Sequence, residues 1–166
     1  MSISRTFPAK HPRAGEKTYF EGKIRYGIGI DSCVVAVPYS KIHTIRANYM
    51  FWKKRIDEVN AGKAVLVLFE WNGKPYGKGT IQRELFRFDK DSGIGVQKLE
   101  WISSETAVVN PSNNCMFPAI APFETLVNTP ELANNDGLSE RDFRDWFKDY
   151  DLSEPLAIVH FTKFRY

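Results

Sequence analysis

The sequence predicts an α+β domain, a small mixed or antiparallel β-barrel flanked by helices. Strand-like segments outnumber helix-like segments, and the dipeptide Asn72-Gly73 lies between two of them, which is typical of an antiparallel β-hairpin. The segments do not alternate as in a doubly wound parallel sheet, and the sequence has no glycine-rich phosphate loop. At 166 residues the chain suits a single domain over residues 1–166.

The first third of the chain predicts an arm followed by two short elements. Residues 1–18 are basic and contain two prolines, so we expect an irregular arm there. Residues 19–26 carry apolar side chains on one side and predict a short helix, which Gly27 ends. Residues 33–37 are apolar and precede a proline, a pattern that predicts a short buried strand.

The segment Lys41-Ile42-His43-Thr44-Ile45-Arg46 is the most informative part of the sequence. It brings an amine, an imidazole, a hydroxyl and a guanidinium within six residues. In a strand, Lys41, His43 and Ile45 would face one side of the sheet, and the residues between them the other. At a sheet edge or a strand end, such a segment would offer cations and a hydroxyl to an anionic or carbonyl-bearing ligand.

The middle of the chain predicts a helix and then a series of strands. Asn48 is a suitable N-cap, and Trp52, Ile56 and Val59 form one apolar stripe at helical spacing. We expect the helix over residues 49–60 and strands over residues 64–71, 76–88, 96–102 and 106–109.

The last third predicts a loop, two helices and a closing strand. Residues 110–122 are rich in Pro, Asn and Ala and predict the loop, with a short helix near residues 123–127. The Ser139-Glu140-Arg141-Asp142 segment resembles a capping box and predicts a second helix. Residues 155–164 predict the last strand.

The charge of the chain is distributed unevenly along its length. Residues 1–63 contain 12 Lys and Arg against 5 Asp and Glu, a difference of +7, whereas the rest contains 11 against 15, a difference of −4. A basic first third suggests an anionic partner such as nucleic acid. The alternative is a dipolar chain whose charges intermix once it folds.

Cysteine and histidine content argues against a metal centre or a disulfide framework. The two cysteines, Cys33 and Cys115, are too few for such a framework, and the three histidines are scattered. We therefore expect no metal and no cofactor. The N-terminus has no apolar signal-peptide core and no apolar run reaches membrane-spanning length, so we expect a cytoplasmic protein with no membrane partner.

Several of these features together resemble a known family. Lys-x-x-Thr-Ile-Arg at residues 41–46, a helix, Ala61-Gly62-Lys63 before an apolar strand, and a closing apolar strand after a helix are similar to an ASCH domain of the PUA-like superfamily. More narrowly, the chain resembles uncharacterised ASCH/PUA-like proteins of Bacteroidetes and their phages. That similarity rests on residues 41–49, 59–66, 73–76, 95–99 and 160–166.

The resemblance implies a PUA-like barrel with a cleft suited to RNA, a nucleotide or a modified nucleoside. One branch of the family hydrolyses acetylcytidine with a Lys and a Thr of this motif and a Glu further on. In this chain the resemblance places the Lys at Lys41 and the Thr at Thr44. The Glu position is the departure, because the chain has Asn134-Asn135-Asp136 there, with Glu131 slightly earlier.

The chemistry of such a site depends on that acid. A threonine hydroxyl is a poor nucleophile until a base removes its proton. Lys41 can be that base only if burial or a nearby cation lowers its pKa. With no acid to orient the pair, Lys41 stays protonated and serves as an anion-binding cation.

Each candidate residue also has a structural alternative. Lys41 can be a solvated cation, Thr44 a simple strand former, His43 a half-buried spacer, and Arg46 a partner of Asp57 or Glu58. Trp71 and Tyr76 flank the hairpin and can stack on a base or fill the core. His160 lies among apolar residues and is expected to be a hydrogen-bonded core histidine.

Three functions therefore remain open. The first is an RNA- or nucleotide-binding module that uses a basic cleft of Lys41, His43, Thr44, Arg46, Trp71 and Tyr76. The second is an amidohydrolase for an acylated nucleoside such as acetylcytidine, with Lys41 and Thr44 as its catalytic residues. The third is a non-catalytic interaction protein. The sequence leaves the oligomeric state open.

Overall fold

A computed structural model describes residues 1–32, 39–101, 106–109 and 125–166. The strand predicted at residues 33–37 and the loop predicted at residues 110–122, with both cysteines, lie outside these ranges. The described helices are α1 (Phe20–Gly27), α2 (Tyr49–Asn60), α3 (Thr129–Asn135) and α4 (Glu140–Phe147). The described strands are β1 (His43–Arg46), β2 (Leu66–Trp71), β3 (Gln82–Phe88), β4 (Gly95–Trp101), β5 (Thr106–Val109), β6 (Thr125–Asn128) and β7 (Leu156–His160).

The larger sheet has five antiparallel strands in the order β1-β7-β4-β5-β6. Its second strand, β7, is buried at all five residues, which explains its almost wholly apolar sequence. Pairing of His43 with His160 sets the register between β1 and β7. Strand β1 thus lies at an edge of this sheet, as the motif's functional interpretation requires.

The smaller sheet is the β2–β3 hairpin, to which the N-terminal arm is attached. The main-chain N–H of Ile3 donates to the Phe69 carbonyl over 2.8 Å, and that of Phe69 donates to the Met1 carbonyl over 3.0 Å. Among the described residues, no ladder of backbone hydrogen bonds joins this sheet to β1. The α+β class with antiparallel sheets is confirmed, and within the described ranges the strands form two sheets with no backbone ladder that closes them into one barrel.

The caps of two helices follow the sequence prediction. The Asn48 side chain accepts a hydrogen bond from Phe51 N and starts α2, whose bounds match the predicted residues 49–60. The Ser139 side chain accepts from Asp142 N over 3.1 Å and starts α4. In both helices the apolar stripe faces the core.

The helix predicted near residues 123–127 is wrong for its described part. Residues 125–128 form strand β6, which pairs with β5, and helix α3 starts one residue later. The β-branched Thr125 and Val127 fit a strand that has a partner available, and the Asn128 side chain then caps α3 by accepting from Glu131 N. A local pattern could not reveal this strand partner.

Three predicted strands are shorter than expected. The difference is smallest for β2, which starts at Leu66 rather than at residue 64. Strand β3 starts at Gln82 rather than at residue 76, because residues 74–80 are folded into turns by bonds such as Gly77 N to Lys74 O (2.9 Å). Strand β7 ends at His160, after which the chain turns so that Tyr166 packs back against the sheet.

Ion pairs connect the basic first third to acids late in the chain. Lys10 pairs with Asp149 at 3.0 Å, Arg13 pairs with Asp142 at 2.8 Å, and Lys41 pairs with Asp136 at 2.7 Å. These pairs intermix the charges that the sequence separates, as the dipolar alternative expects. None of the helices in the described ranges has the length and apolar character needed to cross a membrane.

Candidate functional site

Lys41 is held in place by α1 and by the end of α3. Its main-chain N–H donates to the Lys23 carbonyl over 3.0 Å, and the next N–H, of Ile42, donates to the Asn135 carbonyl over 2.9 Å. The side chain is only 1% exposed. Its Nζ donates to both the main-chain oxygen and Oδ1 of Asp136, each over 2.7 Å. Lys41 is therefore a buried, paired cation and not a solvated one.

Asp136 is the acid that lies beside Lys41 in the fold. Burial disfavours its charge, but the Lys41 cation and the His43 ring outweigh that effect and hold the pKa of Asp136 below its usual range. Burial lowers the pKa of Lys41, while the Asp136 carboxylate acts in the opposite direction. The Lys41 Nζ also lies 4.3 Å from the centre of the Phe20 ring, in a cation–π contact.

Gly137 lets Lys41 approach this close to the end of α3. Its φ is +75°, a conformation that glycine adopts readily. A Cβ at this position would lie 2.9 Å from the Lys41 Cβ, inside ordinary contact distance. The neighbouring Lys23 Nζ donates to the Gly137 carbonyl over 2.7 Å, so two lysines bind consecutive carbonyls after α3.

Lys41, Thr44, Arg46 and Asp136 line one small cavity, which we call the motif cavity. Its other lining residues are Ile3, Ser4, Phe20, Ile45, Trp146 and Phe147. The cavity volume is about 20 Å³, which is enough for one water molecule and too small for a nucleoside. Lys41 shares the cavity with Thr44, and Ile45 lines it as well, against the predicted alternation. Lys41 itself precedes the regular strand, which starts at His43.

Arg46 bridges the gap between the two sheets. Its Nη2 donates to the Ser2 carbonyl over 2.6 Å, while its Nε is buried without a hydrogen-bond partner. Burial lowers the pKa of Arg46. Asp57, one of the two carboxylates considered as an Arg46 partner, pairs instead with Lys53 at 2.7 Å.

His43 lies behind the ion pair and is not among the residues that line the motif cavity. The ring is fully buried, with Nε2 2.8 Å from the Tyr166 hydroxyl and Nδ1 3.6 Å from Asp136 Oδ1. His43 is thus in a position to support Asp136 rather than to touch a ligand in the cavity.

His160 is buried as predicted, but it is not hydrogen-bonded as predicted. Both ring nitrogens lack a partner, although the ring packs at 5.6 Å from His43 and at 6.0 Å from Tyr166. Burial lowers the pKa of His160 to about 2, so the ring is neutral. Its role is aromatic packing.

A second and larger depression, which we call the hairpin groove, lies between α1, the arm and the hairpin. Its volume is about 520 Å³, which is within the range of small-ligand sites. Ile3, Ser4 and Phe20 line both this groove and the motif cavity, so the two adjoin. The polar and aromatic lining residues include Arg5, Lys17, Tyr19, Glu21, Glu70, Trp71, Asn72 and Arg83.

Of the two predicted stacking residues, only one lines the hairpin groove. Trp71 is half-buried and lines the hairpin groove. Tyr76 is 90% exposed and does not line the groove, but its ring centre lies 5.1 Å from that of Trp71. Tyr19, which the sequence did not single out, lines the groove with 62% of its surface exposed and a positive φ of 56°.

The cations of the groove are largely compensated. Arg83 Nη2 lies 2.8 Å from Glu70 Oε1 and also donates to Glu21, and Arg5 Nε lies 3.6 Å from the same Glu70 oxygen. Lys17 is exposed at the rim. A phosphate would therefore compete with two carboxylates for Arg83.

In the part of the chain described, no group of three or more His, Cys, Asp and Glu residues is arranged to hold a metal ion.

Comparison with known proteins adds no relative to this description. Searches of family models, of curated proteins and of solved structures return no match. The candidate function consequently rests on the geometry of the motif cavity and the hairpin groove.

Proposed function

We propose that this chain is an ASCH/PUA-like module, built on a small β-barrel, that binds RNA, a nucleotide or a modified nucleoside in the hairpin groove. The observation that carries the proposal is the contact between the two depressions. The groove has the volume of a ligand site and shares Ile3, Ser4 and Phe20 with the cavity on which Lys41, Thr44 and Arg46 converge.

Aromatic stacking is the main contribution in this proposal. Trp71 and Tyr19 both line the groove, and stacking of one base on an aromatic side chain contributes about 1–3 kcal/mol. Tyr19 adopts a left-handed backbone conformation, which is unfavourable for a bulky residue and tends to occur at functional sites.

Phosphate binding is secondary in this proposal. Lys41 is neutralised by Asp136, so phosphate contacts fall to Lys17 and to Arg5, whose contact with Glu70 is long at 3.6 Å. Two phosphate contacts on a single strand predict a salt slope of about −1.4, which means a loss of roughly sevenfold between 50 and 200 mM salt. This dependence is weak for a nucleic-acid-binding protein.

The test is fluorescence anisotropy with a short single-stranded RNA and with the four nucleoside monophosphates. Tyr19→Ala should weaken binding at least about fivefold, from the lower limit of a lost stacking contact. Tyr26→Ala is the matched control, because Tyr26 is a 45% exposed tyrosine that is not among the groove residues. Absence of binding at 50 mM salt would contradict the proposal, and so would equal loss in both variants.

An amidohydrolase acting on an acylated nucleoside is the second candidate. The observation that favours it is Asp136 Oδ1 at 2.7 Å from Lys41 Nζ, beside a cavity that Thr44 also lines. Here the Lys41 ammonium would first pass a proton to Asp136 and become a neutral amine. Lys41 would then take the hydroxyl proton as Thr44 Oγ1 attacks the acyl carbonyl, and would return it to the departing amine, after which water would hydrolyse the acyl-threonine ester. Substrate entry requires the motif cavity to widen.

Release of acetate from acetylcytidine tests this candidate. Thr44→Val keeps the β-branched shape and removes the nucleophile, so activity should vanish while the melting temperature stays close to that of the wild type. Turnover that survives in Thr44→Val excludes this mechanism. A protein that neither binds RNA or nucleotides nor turns over acetylcytidine would be the non-catalytic interaction protein.

A further inference from the structure

The phenol of Tyr166 is held between two buried polar groups. Asn135 Nδ2 donates to the Tyr166 hydroxyl over 2.9 Å, and the same hydroxyl lies 2.8 Å from His43 Nε2. The Gln97 side chain fixes the backbone of Tyr166 from both sides, donating to its carbonyl over 3.2 Å and accepting from its N–H over 3.0 Å. The hydroxyl therefore has a defined position and two defined partners.

These contacts determine where the protons are. A phenol has one proton, and an amide NH₂ can only donate. With Asn135 donating to the Tyr166 oxygen, the arrangement that satisfies all three groups has the hydroxyl proton pointing to His43 Nε2, which accepts it. A neutral imidazole that accepts at Nε2 carries its own proton on Nδ1.

The Nδ1–H of this tautomer faces the Asp136 carboxylate. The distance from Nδ1 to Asp136 Oδ1 is 3.6 Å, which is long for a hydrogen bond but short for an electrostatic contact in a buried site. Burial lowers the pKa of His43 and raises that of Tyr166, so both rings stay neutral. The donors then run in one direction from Asn135 through Tyr166 to His43, whose Nδ1–H faces Asp136 from beyond hydrogen-bond distance.

We propose that Tyr166 is a positioning residue, which holds His43 as the Nδ1–H tautomer and thereby orients the Asp136 carboxylate towards Lys41. His43 approaches Asp136 from one side and Lys41 from the other, so the carboxylate is fixed between them. The consequence for a substrate rests on the amidohydrolase candidate, which uses the motif cavity, whereas the tautomer itself does not.

Nitrogen-15 NMR of the histidine rings at pH 7.5 tests the tautomer directly. In the wild type we expect His43 to be protonated on Nδ1 and not on Nε2. Tyr166→Phe should remove this preference, whereas Tyr26→Phe, a change of an exposed tyrosine, should leave it intact. A wild-type ring protonated on Nε2 or on both nitrogens overturns the proposal.

A second variant gives the opposite result and does not remove any ring. In Asn135→Asp the carboxylate can only accept, so the Tyr166 hydroxyl must turn towards it and His43 must donate from Nε2. We expect the tautomer to switch to Nε2–H. An unchanged Nδ1–H tautomer in Asn135→Asp overturns the proposal, and this arm remains informative if Tyr166→Phe does not fold.

Ligand measurements separate this proposal from the proposed function. If the wild type hydrolyses acetylcytidine, Tyr166→Phe should reduce turnover about tenfold, the lower end of the loss that removal of an outer-shell partner causes at metal sites. Binding in the hairpin groove should not change, because Tyr166 is not among the groove residues. A wild-type Nδ1–H tautomer with no ligand bound supports the positioning of Asp136 and counts against the proposed function. A bound ligand with an Nε2–H tautomer supports the proposed function and overturns the positioning role of Tyr166.

Discussion

Replacement of Asp136 by Asn tests how far the buried ion pair stabilises this fold. The change removes the carboxylate 2.7 Å from Lys41 Nζ and keeps the size of the side chain. Lys41 is 1% exposed, so its charge cannot be solvated in the folded state. Removing one partner of a buried pair typically costs about 3–5 kcal/mol.

The expected loss lies at the lower end of that range. The Asp136 main-chain carbonyl still accepts from Lys41 over 2.7 Å, and the Phe20 ring still faces the ammonium group. We expect the free energy of unfolding to fall by about 3 kcal/mol. For a chain of this length that corresponds to a decrease in melting temperature of roughly 6–12 °C.

Urea unfolding at pH 7 measures this change, and Asp57→Asn is the matched control. Asp57 also lies 2.7 Å from a lysine, Lys53, but both side chains are exposed, so we expect at most about 0.5 kcal/mol there. A loss below about 1 kcal/mol in Asp136→Asn, or equal losses in the two variants, would refute the argument that burial makes this pair important.

The same variant has a defined pH dependence. The folded pKa of Asp136 lies below its unfolded value, so the carboxylate contributes its stability above the unfolded pKa, near about 3.9, and loses it as pH falls through the folded pKa. The difference in unfolding free energy between wild type and Asp136→Asn should therefore be constant between about pH 5 and pH 7 and shrink in stronger acid. A difference that grows in acid contradicts this.

Two further predictions concern neighbouring groups. His160→Leu removes two buried nitrogens that lack partners and should stabilise the fold by about 1 kcal/mol in urea unfolding, so that a clear loss of stability would show that the ring has a polar role. Burial and the charge of Lys41 lower the pKa of Lys23 to about 8. Because this folded pKa lies below the unfolded value, the protein gains stability as pH rises from about 8 to about 10. Wild type should therefore gain about 1 kcal/mol relative to Lys23→Met over that interval, a value reduced for partial solvent exposure, and equal pH profiles would contradict the shift.

Local patterns predicted those elements that are specified by local interactions. The Asn48 cap and the stripe of Trp52, Ile56 and Val59 give the bounds of α2, because a helix is set by contacts three and four residues apart. Strand β6 was missed because its strand character depends on pairing with β5. The predicted closed barrel is not established by the two sheets described, because closure depends on contacts between strands that are far apart in the sequence.

In the candidate site, too, the sequence predicted the residues of the local motif but not their partners from distant parts of the chain. The motif named Lys41, Thr44 and Arg46, and all three line one cavity. The acid beside Lys41 is 95 residues away in the sequence, and Asp136 was one of two acids, with Glu131, near the expected position. Tyr166 is still further along the chain, and no periodicity links it to His43. Long-range partners of this kind need coordinates.

The absence of a side chain at position 137 offers a way to disturb the site without changing any charge. A methyl group there would press on the Lys41 stem 2.9 Å away, and the backbone φ of +75° would also be strained. Gly137→Ala should thus move the ammonium group relative to its carboxylate while both ions remain. Together with Asp136→Asn, this substitution separates the steric from the electrostatic requirements of one buried contact.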